Sequence, residues 1–140
     1  MSRALSILLV LSAGLAGVAH ATDVTVRVEG LDAALKGKIM VQLCQKKDFL
    51  VRECPLQKVQ TISTSAELLQ FPGVPPGDWA VMAYHDQNNN NKLDTNVMGI
   101  PVEGTGFSRN AVGNYGPPKF EQAVEKINGD KQQIKFRMTY

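Results

Sequence analysis

The sequence predicts an all-β protein: an antiparallel β-sandwich of about seven short strands, with one long Asn/Gly-rich loop and at most a short helix. Two observations predict this fold class. Stretches of alternating apolar and polar residues recur along the chain, and Pro, Gly, Asn or Ser residues separate most of them. Little of the chain has the apolar spacing of a helix, so we expect one sandwich domain.

The N-terminus has the organisation of a secretory signal peptide. Arg3 supplies a positive charge, an apolar run follows it, and Ala19-His20-Ala21 is a small-residue cleavage site. The alternative is an uncleaved membrane anchor, but the run is shorter than the roughly 20 residues that a span needs. We therefore expect residues 1–21 to be removed by cleavage after Ala21, and residues 22–140 to be one periplasmic or secreted domain.

Charge and hydropathy exclude two kinds of interaction for the mature chain. The net charge is +2 at pH 7, and removal of Arg3 with the signal peptide lowers it by one. Because nucleic-acid binding normally requires a basic patch or stripe, no nucleic-acid partner is expected. No run after residue 21 is long and apolar enough to span a bilayer.

The first half of the mature chain contains four predicted strands. Val24 to Glu29 alternates apolar and polar residues, and so does Lys38 to Gln45. A short helical turn is expected between these two strands, at Leu31 to Leu35. Val59 to Ser63 and Glu67 to Phe71 form the third and fourth strands, which are joined by a Ser/Thr turn.

The second half begins with a Pro/Gly-rich connection, Phe71 to Val81, that cannot form a central strand throughout. The next strand, Trp79 to His85, begins inside this connection. It has apolar residues on both faces and is expected to be central. Residues 120–127 fit either one face of a short helix or a helical turn that passes into a strand. Asn128-Gly129 is a strong hairpin signal, and a last alternating strand follows at Ile134 to Met138.

Cys44 and Cys54 are the only two cysteines in the sequence. Export would place them in an oxidising compartment, where disulfides persist. A disulfide that closes a ring of this size contributes roughly 3 kcal/mol of stability. The alternative, a thiol or metal pair, is not supported by a CxxC motif or by a nearby histidine. We therefore expect a structural disulfide.

The long connection after His85 has the spacing of a calcium-binding loop. Aspartate or asparagine stands at positions 1, 3, 5 and 9 of the pattern D-x-[DN]-x-[DN]-G-x5-E, in which alternate oxygens turn inward around one hard cation. At position 7 the backbone carbonyl coordinates, whichever side chain is present. The candidate metal ligands are therefore Asp86, Asn88, Asn90, Lys92 and Asp94.

Two departures from the pattern predict weak binding. Asn91 replaces the usual glycine at position 6, and Val97 replaces the bidentate glutamate at position 12. With two carboxylates in the loop, an affinity for Ca²⁺ of about 10⁻⁴ to 10⁻³ M is expected. Glu103 is a further candidate ligand that would complete the site. The alternatives are an asparagine-rich turn that hydrogen-bonds its own backbone, and a site for another metal.

A glycine-rich segment follows, and we interpret it as a candidate partner-binding loop made of Gly104, Gly106, Phe107, Ser108, Arg109 and Asn110. The same segment is not a dinucleotide fingerprint, because arginine stands at the sixth position and no βαβ unit surrounds it. Its serine lacks the G-x-S-x-G elbow. No catalytic residue is assigned. His85, at the end of a predicted strand, is expected to be a structural hydrogen-bonding residue.

Several motifs taken together resemble the bacterial exported family known as domain of unknown function 2141. They are His85-Asp86, Asn88, Asn90, Lys92-Leu93-Asp94, Gly99-Ile100-Pro101, Glu103-Gly104, Gly106-Phe107-Ser108 and Gly116-Pro117-Pro118 with Phe120. The resemblance covers about Val24 to Tyr140, with departures at Asn91, where the family commonly has glycine, and at Thr105, where it has an aromatic residue. It implies an exported, sandwich-like single domain and brings no established reaction or ligand.

The Pro-Gly-x-aromatic entry into the central strand, Pro76-Gly77-Asp78-Trp79, also resembles transthyretin-like and carboxypeptidase-regulatory-like sandwiches, so the expected sandwich is transthyretin-like or immunoglobulin-like. We therefore expect a non-catalytic binding or accessory module of the cell envelope, with a weak calcium loop and an envelope protein or glycan as its partner. One alternative is a hydrolase or lyase of envelope glycans that uses Asp86, Asp94 or Glu103. The other is a purely structural envelope protein.

Overall fold

The computed structural model describes Gly17 and residues 19–140. Eight strands in two sheets confirm the predicted all-β class: β1 (Thr22–Glu29), β2 (Lys38–Cys44), β3 (Leu56–Thr61), β4 (Ala66–Val74), β5 (Gly77–Asp86), β6 (Thr105–Phe107), β7 (Val124–Ile127) and β8 (Lys131–Arg137). The helical elements within these residues are the helix α1 (Phe120–Ala123) and two 3-10 turns, Ala33–Leu35 and Ser108–Asn110. Most of the predicted signal peptide lies outside the described residues, so that assignment stays a prediction.

The strands form a three-stranded and a five-stranded sheet. The first sheet has the order β4-β1-β8, and the second has the order β3-β2-β5-β6, with β7 paired to the start of β5. All pairs are antiparallel except β1 with β8, which run parallel. Strand β5 is central, as its apolar pattern predicts, because it pairs with β2 on one side and with β6 and β7 on the other.

The turn at Asn128-Gly129 connects the two sheets instead of closing a hairpin. Strand β7 before it pairs with β5, and β8 after it pairs with β1 in the other sheet. Hydrogen bonds from Thr22 Oγ1 to the Gly129 carbonyl (2.6 Å) and from the Asp23 amide to the Asp130 carbonyl (2.8 Å) hold the turn against β1. The hairpin prediction was therefore wrong, because a local turn signal does not specify the sheet in which the next strand pairs.

The main core lies between the sheets and contains the alternating apolar residues of β1, β2, β4, β5 and β8. A second cluster lies on the other side of β5, where Ala80, Phe49 and Ala123 pack around the disulfide between Cys44 and Cys54. The predicted disulfide is thus confirmed. The Phe49 ring stands edge-on to two further aromatic rings, so the loop closed by the disulfide is anchored to the sheet. Residues 120–127 are a helical turn that passes into a strand, the second of the two alternatives.

None of the helices in the described part of the chain has the length and apolar character that a membrane span requires.

Candidate functional site

The loop after β5 starts from a fixed point at His85. This histidine is completely buried, with Nδ1 2.7 Å from the Tyr140 hydroxyl and Nε2 hydrogen-bonded to the Lys36 carbonyl. The imidazole therefore ties the end of β5 to the turn before β2 and to the C-terminal residue. In that turn Gly37 has a φ of +89°, and a Cβ there would overlap the carbonyl oxygen of Asp86, so this position requires glycine.

Asp86 is buried, and the following residues curl around its carboxylate. Oδ1 accepts a hydrogen bond from the Asn90 amide at 3.0 Å, and Oδ2 accepts one from the Asn91 amide at 2.9 Å. Asn89 and Asn91 adopt positive φ values of 60° and 65°. Asparagine tolerates this left-handed conformation better than most residues, so Asn91 provides the bend for which glycine is usual.

Asp94 closes the other side of the loop. Its carboxylate accepts the side-chain amide of Asn90 at 2.8 and 2.9 Å and that of Asn88 at 2.6 Å. These hydrogen bonds, first from Asn90 and then from Asn88, hold the pKa of the Asp94 carboxyl below its usual value. The Lys92 side chain is exposed, and its backbone amide donates to Asn90 Oδ1 at 3.1 Å. The five predicted loop residues are therefore neighbours in one tight turn.

Glu103 joins the two ends of this loop. The Gln87 amide donates to Oε1 and the Asp94 amide donates to Oε2, both at 2.9 Å, and the side chain is 7% exposed. Both carboxylate oxygens therefore accept hydrogen bonds from backbone amides. Its assignment as a metal ligand stays a prediction. In the structure its carboxylate links the backbone at Gln87 to the backbone at Asp94, and we call this link the clasp. Within the described residues, no three His, Cys, Asp or Glu side chains gather into a metal-binding group.

The chain between the loop and the clasp, residues 94–103, folds into a short projection that we call the flap. At its base the Val102 amide donates to the Asp94 carbonyl at 3.0 Å, and at its tip the Asn96 side chain accepts the amides of Met98 (2.9 Å) and Ile100 (3.1 Å). Val97 and Met98 at the tip are 104% and 77% exposed. Large contiguous apolar patches, unlike single exposed apolar residues, commonly mark interaction surfaces, and these two adjacent side chains contribute apolar surface at the tip of the flap.

The flap forms one wall of an apolar groove of about 1150 Å³. Residues 110–118 form the opposite wall, and strands β5 and β6 with the end of β8 form the floor. This volume slightly exceeds the range of about 300–1,000 Å³ that is typical of ligand pockets, so the groove is large enough for a small-molecule or peptide ligand. The principal apolar lining residues are Leu50, Met82, Leu93, Ile100, Phe107 and Tyr115.

The asparagine-rich loop and the groove share structure. Leu93, at position 8 of the loop, lines the groove, and Asp94 at position 9 is the first residue of the flap. In the floor, the hydroxyl of Tyr84 donates to the Asn91 carbonyl at 3.3 Å. The loop and the groove are therefore in direct contact at Leu93 and at the Tyr84 hydroxyl.

The predicted partner-binding segment is divided between strand β6, which contains Gly106 and Phe107, and the 3-10 turn Ser108–Asn110. Gly104 and Gly106 are buried against the side chains of Tyr140 and Met138, and Phe107 packs against the second hydrophobic cluster. Ser108 is fully buried, whereas Arg109 and Asn110 are exposed. The binding role of this segment stays a prediction; Arg109 and Asn110 are its exposed residues, and the half-buried Phe107 lines the groove.

Ser108 fills a gap beside the central strand. Strand β7 pairs with β5 up to Ala80 and β6 pairs with it from Met82, so Val81 lies between the two. The Ser108 hydroxyl accepts a hydrogen bond from the Val81 amide at 2.9 Å and donates one to the Ala123 carbonyl. The side chain thus replaces a missing backbone partner, which is a structural role that the sequence pattern did not indicate.

The three carboxylates considered for hydrolysis do not form an open pair. Asp86 and Glu103 are buried against backbone amides, Asp94 faces two asparagine side chains, and none of the three lines the groove. A glycosidase requires two carboxylates that face the substrate from opposite sides of one cleft. This geometry therefore does not favour the hydrolase or lyase alternative.

The apolar groove was missed by sequence reasoning. Val97, Met98, Ile100, Val112 and Tyr115 lie in segments that read as loops, and they are all more than half exposed. The presence of large apolar residues inside loop segments was the sequence signal that could have indicated an apolar surface there. The pattern could not show that two such segments, which are separated in sequence by β6, face each other across one groove.

Comparison with known proteins gives one match. The family model described as "Uncharacterized protein conserved in bacteria (DUF2141)" matches residues 26–135. Neither the curated proteins nor the solved structures contain a significant match to the chain. The matched range includes the loop, the flap and both walls of the groove.

Proposed function

This chain belongs to the uncharacterized bacterial family DUF2141, and from that premise we propose that it is an exported, non-catalytic binding module whose apolar groove is ordered by a calcium ion. The groove is the binding site, and the loop at residues 86–94 is the cation site beside it. The observation that carries the proposal is their continuity: Asp94 ends the loop and begins the flap, and Leu93 of the loop lines the groove.

Export is supported by two features of the fold. Strand β1 begins at Thr22, the residue that follows the predicted cleavage site, and Thr22 is already buried and hydrogen-bonded to Gly129. The disulfide between Cys44 and Cys54 suits an oxidising compartment. The fold therefore needs no residue of the predicted signal peptide in its described sheets.

The curled loop supports the calcium assignment. Asp86 at position 1 already accepts the amides of positions 5 and 6, and positions 3, 5 and 9 converge through the contacts of Asn88 and Asn90 with Asp94. These two asparagines direct their NH₂ groups at Asp94. Calcium binding would turn both amides so that their oxygens, which are suitable ligands, face the ion.

The chain leaves the course of a calcium loop after position 9. Thr95 pairs with Pro101 at the base of the flap, and Val97 at position 12 is fully exposed at its tip. Residue 97 therefore cannot supply the usual bidentate ligand, and water would complete the coordination. Both facts support a weak, hydrated site with an affinity of about 10⁻⁴ to 10⁻³ M.

The test compares protein treated with a chelator with the same protein in 10 mM Ca²⁺. An affinity in this range would raise the free energy of unfolding by about 1.4 to 2.7 kcal/mol and would slow amide exchange in the flap. Mg²⁺ at the same concentration serves as the ion control, and Asp94→Asn as the variant that loses the response. If Ca²⁺ changes neither quantity, the calcium step is refuted and the purely structural alternative gains support.

Asn88→Asp provides a sharper version of this test. Without calcium, the new carboxylate would face Asp94 at the place where the Asn88 amide now donates at 2.6 Å, so the variant should be less stable than the parent. With calcium, a third carboxylate should tighten binding by about tenfold, because affinity follows the number of charged ligands. A variant that is destabilised equally with and without Ca²⁺ would contradict the site.

A further inference from the structure

The outer face of the three-stranded sheet is polar and rich in basic side chains. Along β1 and β8, buried apolar residues alternate with residues that point away from the core. The outward side chains of these two strands are Asp23, Thr25, Arg27, Glu29, Lys131, Gln133, Lys135 and Arg137. Four basic and two acidic side chains give this face a net charge of +2. The entire sequence has the same net charge, so the other surfaces are neutral in sum.

Three of the basic side chains gather around one carboxylate at one end of this face. In the β1–β8 register Arg27 is opposite Lys135, and Glu29 is opposite Arg137. The hydrogen bond from Arg27 to the Glu29 carboxylate (2.7 Å), together with the charges of Lys135 and Arg137, holds the pKa of Glu29 below its usual value. One negative charge thus serves three positive ones. Like charges directly opposite each other in a sheet are unfavourable, so this end is complementary to a further anion.

Arg137 extends across the end of β1. Its Cγ and Nε lie 2.9 and 3.1 Å from the position that a Cβ on Gly30 would occupy, so the glycine leaves room for the arginine side chain. The guanidinium therefore acts on the outer face, where it influences Glu29, although Arg137 also borders the groove. A planar guanidinium suits a carboxylate or another planar oxyanion, because it can donate two parallel hydrogen bonds.

A polar depression of about 570 Å³ lies at the other end of the same face. Its lining residues are Asp23, Thr25, Gln70, Lys131, Gln132 and Gln133. The Thr25 hydroxyl donates to Gln70 Oε1 at 2.8 Å, and the Gln133 side chain is exposed. Amide and hydroxyl side chains both donate and accept hydrogen bonds, as sugar hydroxyls do. The depression therefore suits a ligand rich in hydroxyl groups.

The depression and the basic end lie along one line. Lys131 and Arg137 are six residues apart on β8, which corresponds to about 20 Å of strand, so an extended polymer along β8 reaches both. The outward side chains of β1 and β8 include no aromatic residue and no large apolar one. Single-stranded nucleic acids are bound by stacking on aromatic side chains, and membrane surfaces by insertion of apolar ones. A polymer that carries hydroxyls and acidic groups is the better match.

We propose that the outer face of β1 and β8 binds a linear anionic polysaccharide. Its sugar hydroxyls contact the depression around Gln133, and its acidic groups lie beside Lys135 and Arg137. This site is on a different face from the apolar groove and requires neither the groove nor calcium, so it goes beyond the proposed function. Binding rests on charge pairs and hydrogen bonds, and no covalent bond is made or broken.

The first experiment compares polymers. Polygalacturonate, which carries a carboxylate on each sugar, and neutral dextran are titrated by calorimetry into the chain from Thr22 onward, in calcium-free buffer. Polygalacturonate should bind, and its affinity should fall as salt is added, because salt screens exposed charge pairs. Dextran should not bind measurably. Oligothymidylate and phosphatidylglycerol vesicles represent a nucleic acid and a lipid surface, and both should bind more weakly than polygalacturonate.

The second experiment locates the polymer with matched pairs of variants. Lys135→Gln should weaken polygalacturonate binding about fivefold, because one exposed charge pair is lost. Lys47→Gln removes the same charge from the loop closed by the disulfide and should leave the affinity unchanged. Gln133→Glu should also weaken binding about fivefold by placing a negative charge in the depression, whereas Gln57→Glu makes the same change on β3 of the other sheet and should have no effect. All four side chains are exposed, so the variants should fold.

Three results would overturn the inference. They are equal affinity for polygalacturonate and dextran, equal losses within a matched pair of variants, or tighter binding of oligothymidylate or of the vesicles that Lys135→Gln weakens. The last result would assign this face to a nucleic acid or to a lipid surface. If polygalacturonate fails to bind but calcium still protects the flap, this inference alone is refuted. If polygalacturonate binds and calcium has no effect, the calcium step of the proposed function alone is refuted.

Discussion

Glu103→Gln tests the clasp that holds the loop and the flap together. In the parent protein each carboxylate oxygen accepts one backbone amide, from Gln87 and from Asp94, at 2.9 Å. Glutamine has one acceptor oxygen, so its NH₂ group must face one of these two donors. The variant loses one hydrogen bond to a charged group, worth about 1.5–3 kcal/mol, and leaves the backbone amide of a half-buried residue unpaired. We expect the free energy of unfolding to fall by about 2–3 kcal/mol.

The measurement is urea unfolding of the parent and the variant, together with amide exchange at Gln87 and Asp94. Glu53→Gln is the matched control, because that side chain is exposed and makes no hydrogen bond in the described part of the chain. If Glu103 is a clasp, the loss of stability is the same with and without Ca²⁺. If it is a calcium ligand, the loss grows when Ca²⁺ is added. Unchanged stability and unchanged exchange at both amides would refute the clasp.

Three further predictions concern the framework around the site. Ser108→Ala should lower the free energy of unfolding by about 1–3 kcal/mol, measured in urea, because the Val81 amide and the Ala123 carbonyl lose their partner; an unchanged midpoint would contradict this. Burial is the largest influence on the pKa of Glu67 and raises it, yet hydrogen bonds from the backbone and side chains of nearby residues outweigh it and hold this pKa below 4.5. Its contribution to stability is therefore present above pH 4.5 and is lost as the pH falls through the lowered folded-state pKa, so Glu67→Gln should flatten the melting temperature over that acid range; equal slopes for both proteins would contradict this. Replacing both Cys44 and Cys54 by alanine should cost roughly 3 kcal/mol and make unfolding insensitive to reductant, and a double variant as stable as the oxidised parent would argue against a stabilising bridge.

The apolar pattern predicted the strands because their periodicity depends on which face is buried. Ile39, Val41 and Leu43 alternate with half-exposed residues in β2, and both faces of β5 are buried, as its sequence indicated. The boundaries differ by a few residues at most elements. In β4 the strand continues through Pro72 and Gly73, which the sequence assigned to a connection. Pro72 is tolerated there because β4 is an edge strand, where a missing amide donor need not break a ladder.

The loop residues could be identified from sequence because their chemistry is local. The contacts of Asp86 with Asn90 and Asn91 span only four or five residues, so spacing alone predicts which side chains meet. The partner of Glu103 could not be predicted in this way. Its carboxylate contacts Gln87 and Asp94, sixteen and nine residues away, and that geometry depends on how the flap folds back.

The sequence by itself determined the all-β class, the pairing of its two cysteines and the curled asparagine-rich loop, because each depends on local periodicity, short spacing or the absence of another partner. Tertiary structure decided the rest. It paired β8 in parallel with β1, placed Ser108 in the gap beside Val81, and brought the flap and residues 110–118 together to line one groove. These features join residues that are distant in the chain, and their contacts depend on how the two sheets pack, which no local pattern encodes.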